Sequence, residues 1–135
     1  MSAVNTDTDT ILEVLNDKMD RDGNNLNQSA IDFDVVVEWQ TPTAANNYTW
    51  YRKYASGWVE QGGILIGITS SYTTKTLLVT MSDTNYTFIC STADEFSGTQ
   101  YAIGNPISAS TYQIKYSGTG TAKCSWEVKG MAATA

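Results

Sequence analysis

Histidine is missing from all 135 residues of this chain. That removes Ser-His and Cys-His nucleophilic pairs, whose base must titrate near neutral pH. Cysteine occurs only at Cys90 and Cys124. Two thiols without histidine do not make a four-ligand zinc site. Both fall at inward-facing positions of predicted strands and are expected as buried free thiols. A disulfide between them requires neighbouring strands with suitable geometry. Positive charge is scarce: 8 Lys and Arg face 14 Asp and Glu, for a net charge of −6. Such a chain is a poor ligand for polyanions, so no nucleic-acid partner is expected. No apolar run reaches the roughly 18 residues of a membrane-spanning helix. The first ten residues, MSAVNTDTDT, lack the basic start and apolar core of a secretory signal. The expectation is a soluble protein made in a cytoplasm, without membrane insertion. No nucleophile elbow, phosphate-cradling glycine loop or metal-binding cluster is present, and no cofactor or metal is expected.

What the chain does have is aromatic residues, concentrated in residues 47–63, NYTWYRKYASGWVEQGG. Alternation places Tyr48, Trp50, Arg52 and Tyr54 on one face of an extended strand. Asn47, Thr49, Tyr51 and Lys53 fall on the other. Ala55, Ser56 and Gly57 turn the chain back, with Gly57 supplying the positive φ that a three-residue hairpin loop needs. Gly62 and Gly63 mark a bulge or a close backbone approach before Ile64, Leu65 and Ile66.

Period-two patterning continues on both sides. Residues 35–39 read as a strand. Residues 74–81 place Leu77, Val79 and Met81 inward. Residues 82–85 are a turn by composition, after which Tyr86, Phe88 and Cys90 point one way. Residues 100–107 read as a strand interrupted at Gly104, Asn105 and Pro106. Tyr112, Ile114 and Tyr116 alternate with polar neighbours, and so do Cys124, Trp126 and Val128. Some eight short strands with polar turns predict an antiparallel, jelly-roll-like β-sandwich over residues 31–135.

Residues 1–30 differ in character. Nine of the acids lie in residues 1–38, against Lys18 and Arg21. Thr10 and Glu13 match a capping box, opening a short helix to about Arg21. Leu12, Leu15 and Met19 form its apolar stripe. About three turns of helix are marginal alone in water. The stripe therefore needs a partner, either its own β-domain or further copies in a trimeric coiled coil. Residues 20–23 resemble a calcium loop only superficially, because Lys18 and Ser29 would occupy the first and closing ligand positions.

Catalysis finds little support. A glycosidase needs two carboxylates flanking a cleft. From Glu38 onward the acids are Glu38, Glu60, Asp83, Asp94, Glu95 and Glu127, and no two are seen to meet. Glu60 and Glu127 read as solvated strand faces, and a non-enzyme is expected. Tyr and Trp can stack on sugar rings. Each of Trp39, Trp50, Trp58 and Trp126 is nonetheless expected in the core or at a subunit interface. The glycan-binding candidates are the loop aromatics Phe96 and Tyr101, beside Asp94, Glu95 and Gln100.

Several blocks resemble the C-terminal domains of bacteriophage fibre and virion-surface proteins. They are the aromatic hairpin, LLVTMSDTNY at 77–86, the closing CSWEVKGM at 124–131, and the linker-like LNDKMDRDGNNL at 15–26. The resemblance implies a virion protein, assembled in the host cytoplasm as a homotrimer, with one β-sandwich per subunit. It implies adhesion to the bacterial host surface, often to its polysaccharide. Residues 1–30 would then anchor it to other virion proteins. The alternative is a structural head fibre or capsid decoration protein without a receptor of its own. A free-standing carbohydrate-binding module comes third.

Overall fold

The computed structural model describes residues 34–94 and 99–134. The expected N-terminal helix, with Leu12, Leu15 and Met19, lies outside the described residues, as do Glu95 and Phe96.

Among the described residues the chain forms eight strands: β1 (Val36–Gln40), β2 (Trp50–Tyr54), β3 (Trp58–Ile68), β4 (Thr73–Thr76), β5 (Thr87–Thr92), β6 (Ala102–Pro106), β7 (Thr111–Tyr116) and β8 (Ala122–Met131). They make two antiparallel sheets, a larger one in the order β1-β2-β3-β8-β5 and a smaller one in the order β4-β7-β6. The pairing is nested: β3 lies beside β8 and β4 beside β7. The consecutive strands β5 and β6 meet where the chain crosses between sheets. This is the path of a rolled-up hairpin, as in a jelly roll. The β1–β2 ribbon is added at the β3 edge.

Alternation decides what is buried. Tyr112, Ile114 and Tyr116 of β7 are buried, as are Cys124, Trp126 and Val128 of β8 and Val59 of β3. β7 is the middle strand of the smaller sheet and β8 an interior strand of the larger, each paired on both sides, so their inward residues are covered by neighbouring strands and by the opposite sheet. Three rings stack through the core. Phe88 lies 5.1 Å from Tyr112, and Tyr112 lies 4.7 Å from Trp126, centroid to centroid. Burying one such ring, at about 25 cal/mol per Å² over roughly 200 Å², contributes at most about 5 kcal/mol. The Trp126 Nε1 finds no acceptor among the described residues. Cys90 and Cys124 are both free. They lie on neighbouring strands but out of register, with Cys90 opposite Trp126 and Cys124 opposite Thr92.

Four expectations need correction. The strand expected over 74–81 stops at Thr76. Leu77 and Met81 still turn inward, but the carboxamide of Gln61 takes the place of a strand partner. Gln61 is fully buried; its Nε2 donates to the Val79 carbonyl at 2.8 Å and its Oε1 accepts from the Val79 amide at 3.0 Å. Second, β6 runs unbroken through Gly104, Asn105 and Pro106. Gly104 is where Phe88 packs, and a Cβ there would come within 2.4 Å of Phe88 Cε1. Third, of the two alternatives at Gly62 and Gly63 the close backbone approach holds and the bulge does not: both are paired, and a Cβ on Gly62 would lie 2.5 Å from the Trp126 carbonyl oxygen. The β3–β8 irregularity falls between Leu65 and Ile68, around Gly67 at φ +76°. Fourth, Tyr48 does not extend the strand face of Trp50. Residues 44–46 form a 3-10 turn whose Thr43 and Asn46 cap each other, and Asn47 and Tyr48 follow in the left-handed region.

The hairpin turn behaves as read. Gly57 has φ +93°. Asp34 anchors this turn to the start of β1, because its carboxylate accepts from the Ser56 amide at 3.1 Å and from the Ser56 hydroxyl.

Candidate functional site

The larger sheet has five strands and the smaller has three. With Val59, Gln61, Cys124, Trp126 and Val128 pointing into the core, the residues between them point outward. Register extends this outer face across the ribbon. Glu60 is opposite Arg52 and Arg52 opposite Trp39, while Trp50 is opposite Gly62. On the other side Ile64 is opposite Ser125, and Glu127 is opposite Ile89. The outer face therefore carries Trp39, Trp50, Arg52, Tyr54, Trp58, Ile64 and Ile89.

Much of this apolar surface is open. Trp39 is 60% exposed, Ile89 58% and Tyr48 52%. Trp58 is less so and stands beside Met131. Of the four tryptophans only Trp126 is a buried core residue; of the two expectations for Trp39, a place in the core is excluded. Alternation assigns residues to two sides but does not say which side the smaller sheet covers.

Three contiguous grooves cut this region. One, of about 330 Å³, runs between Tyr48, Trp50, Ile64 and Ile89. A second, of about 450 Å³, lies between Tyr48, Ile64, Ile66 and Lys75. A third, of about 390 Å³, is bounded by Trp39, Pro42, Trp50, Arg52 and Glu60. Tyr48 is a wall of the first two grooves and Trp50 a wall of the first and third. The Trp50 ring rests on the backbone at Gly62, where a Cβ would approach its Cζ2 to 2.8 Å. The bare glycine thus seats the indole flat against the sheet. Tyr48 is held out by its left-handed backbone, φ 56°, and its amide donates to the Thr43 carbonyl at 2.8 Å. A bulky residue in this conformation is uncommon, and such strain concentrates at binding sites.

Polar groups on and beside the face are paired to different degrees. Lys129 meets Glu127 at 3.1 Å, and this hydrogen bond is the main reason its ammonium is held above the usual lysine range. Tyr51, whose strand partner is Gln40, donates its hydroxyl to Glu38 at 2.7 Å, which pushes the phenol up. Arg52 makes no ion pair or hydrogen bond among the described residues.

The sequence-derived loop candidates are placed elsewhere. Asp94 Oδ2 accepts from the Lys123 amide at 2.6 Å, and Gln100 Oε1 accepts from the Tyr116 hydroxyl at 2.8 Å. Both side chains are therefore engaged by neighbouring strands, Asp94 by β8 and Gln100 by β7. Tyr101 is 53% exposed and is tied to Ser117 through its backbone. None of these three residues lines the grooves named above. The aromatic face was visible in the sequence only as an excess of Trp and Tyr in one hairpin.

The architecture defines a class: an antiparallel β-sandwich of rolled topology with an added edge hairpin. Two solved structures share this fold. Both are C-terminal portions of R2-type pyocin tail fibres, one described from P. aeruginosa and the other an N-truncated fibre. Each aligns with a TM-score of 0.54 at 14% identity over 71% of this chain. The matched region spans 26% of one of those chains and 39% of the other. The likeness is one of fold. No protein-family model and no curated protein matches the sequence.

Proposed function

We propose that this chain is a phage virion-surface fibre protein whose β-sandwich adheres to glycans of the bacterial host surface. The observation that carries this reading is the open aromatic face of Trp39, Tyr48, Trp50 and Trp58. Indole and phenol rings stack on the C–H faces of sugars while polar neighbours bind hydroxyls. The fold, shared with pyocin tail fibres, supports the placement on a particle. Homotrimer assembly, with residues 1–30 joining the protein to other virion components, completes the reading. Three weak sites on one trimer raise avidity without any new contact. No catalytic role is proposed.

The test uses the full chain, fluorescently labelled, on a panel of intact bacteria before and after periodate oxidation of surface sugars. Binding to at least one strain that periodate abolishes is expected. Binding that survives periodate overturns the glycan ligand, and no binding on any strain overturns the adhesive role. Light scattering is expected to give the mass of a trimer; a monomer would leave a single-copy binding module. A second reading, a head fibre or capsid decoration protein, draws on the exposed edge strand β1, where Val37 and Trp39 could be covered by another subunit. It expects a trimer that binds no cells.

A further inference from the structure

We infer that the cleft between Trp39 and Trp50 takes a sugar bearing a carboxylate, and that Arg52 reads its charge. This rests on the adhesive reading above and narrows its ligand to acidic saccharides.

Arg52 has two indole neighbours on one side of the sheet and lies across from the Glu60 carboxylate. Trp39 is directly opposite it on β1, and Trp50 lies two residues before it on β2. All three line one cleft of about 390 Å³, a size suited to a small ligand. The guanidinium is exposed and has no partner among the described residues. Its cross-strand neighbour Glu60 is engaged otherwise, accepting from the Tyr54 hydroxyl at 3.5 Å and adding to the field that holds Lys129 protonated. By contrast, Lys129 on the same face closes its own ion pair with Glu127.

A guanidinium presents a rigid fork of N–H donors that matches the two oxygens of a carboxylate. With two indoles beside the guanidinium, a pyranose ring lies against the aromatic faces while its carboxylate meets the fork. The Trp50 wall is preformed, because its ring is seated against Gly62. Glu60 also lines the cleft, and it sets the charge of the ligand. A doubly charged phosphate would face this carboxylate, whereas a singly charged carboxylate engages Arg52 and leaves Glu60 to accept from ring hydroxyls. The occupant that fits all four groups is a hexuronic acid unit.

The test is calorimetric titration of the full-length protein with oligosaccharides of hexuronic acid and with their methyl esters. The esters keep the ring and hydroxyls and lose the charge. The acid form is expected to bind about tenfold tighter at low salt, with the gap closing as salt is added. Arg52→Gln is expected to bring the acid-to-ester ratio to about one, Arg52→Lys to leave it intermediate, and Trp39→Ala to weaken both ligands. Circular dichroism confirms that each variant is folded. Equal affinity for acid and ester, a gap that survives Arg52→Gln, or no saturation by any hexuronate overturns the inference. So does a Trp39→Ala variant that turns a trimer into a monomer without changing sugar binding, since the face would then be a subunit contact. Cell binding that periodate abolishes, without any hexuronate preference, removes this inference and leaves adhesion standing. Hexuronate binding without cell binding does the reverse.

Discussion

Tyr48 holds φ 56° directly after Asn47 at φ 58°. The left-handed conformation suits asparagine, whose short side chain bonds locally, and costs a tyrosine about 1 kcal/mol. Since the Tyr48 ring is half exposed, burial returns little of that cost. Tyr48→Asn is therefore expected to leave stability unchanged or raise it by up to about 1 kcal/mol in urea denaturation. The same change removes the wall shared by two grooves and should weaken saccharide binding. A variant that gains stability while losing function would mark Tyr48 as a binding residue. Gln61 is the opposite case, a polar side chain kept entirely for the fold. Both ends of its carboxamide bond Val79. Gln61→Leu leaves the part-buried Val79 amide and carbonyl without this partner, so a loss of about 1–3 kcal/mol is expected from the urea midpoint. Gln61→Glu, which cannot donate to the Val79 carbonyl once ionised, should also destabilise.

At the scale of elements, the sandwich is closed on one side by β5 against β6. The closure depends on a ring lying on a bare backbone. Gly104→Ala would put a Cβ 2.4 Å from Phe88 Cε1 and 2.8 Å from the Gln113 carbonyl. Overpacking of this kind is expected to cost about 2–3 kcal/mol. Adding Phe88→Leu should recover part of that loss, so a double-mutant cycle is expected to be non-additive. Additive losses would show that the Gln113 backbone, and not the ring, carries the clash. The same elements show what alternation could and could not tell. Tyr112, Ile114, Tyr116, Cys124, Trp126 and Val128 are legible as inward because β7 and β8 are interior strands, paired on both sides with one face on the core. Residues 77–81 looked like a strand because their inward positions do alternate. Their partner is a side chain on β3, a tertiary contact that no local pattern encodes. The aromatic face was illegible for a related reason. Which side of the larger sheet the smaller one covers is set by packing of β6 against β5 and of β7 against β3, contacts between distant parts of the chain. Asp94 and Gln100 combine polarity with nearby aromatics in the sequence, but those polar atoms bond the Lys123 amide of β8 and the Tyr116 hydroxyl of β7.

At the scale of the whole molecule, the core gathers groups that ionise only in alkali. Burial pushes the Tyr112 phenol well above its ordinary value, with smaller contributions from Cys90 and Tyr86. Burial also raises Tyr86, Cys90 and Cys124. In each case the folded state holds a proton that the unfolded chain gives up at lower pH. Up to the unfolded cysteine and tyrosine values, about 8.5 and 10, both states carry the proton and these groups leave stability flat. Above those values the unfolded chain ionises first, and stability falls until the raised folded value is reached. The slope from each tyrosine is at most about 1.4 kcal/mol per pH unit. The sign is the same for Lys129, whose raised value also makes its contribution disappear in alkali. Thermal unfolding followed from pH 7 to 11 is therefore expected to show a midpoint that holds steady and then drops from about pH 9. Tyr112→Phe removes the most strongly shifted group and should flatten the part of the drop above pH 10. If its profile instead runs parallel to that of the native chain, the alkaline loss belongs to the other raised groups, and Cys90→Ser with Cys124→Ala then separates the cysteines from Tyr86 and Lys129.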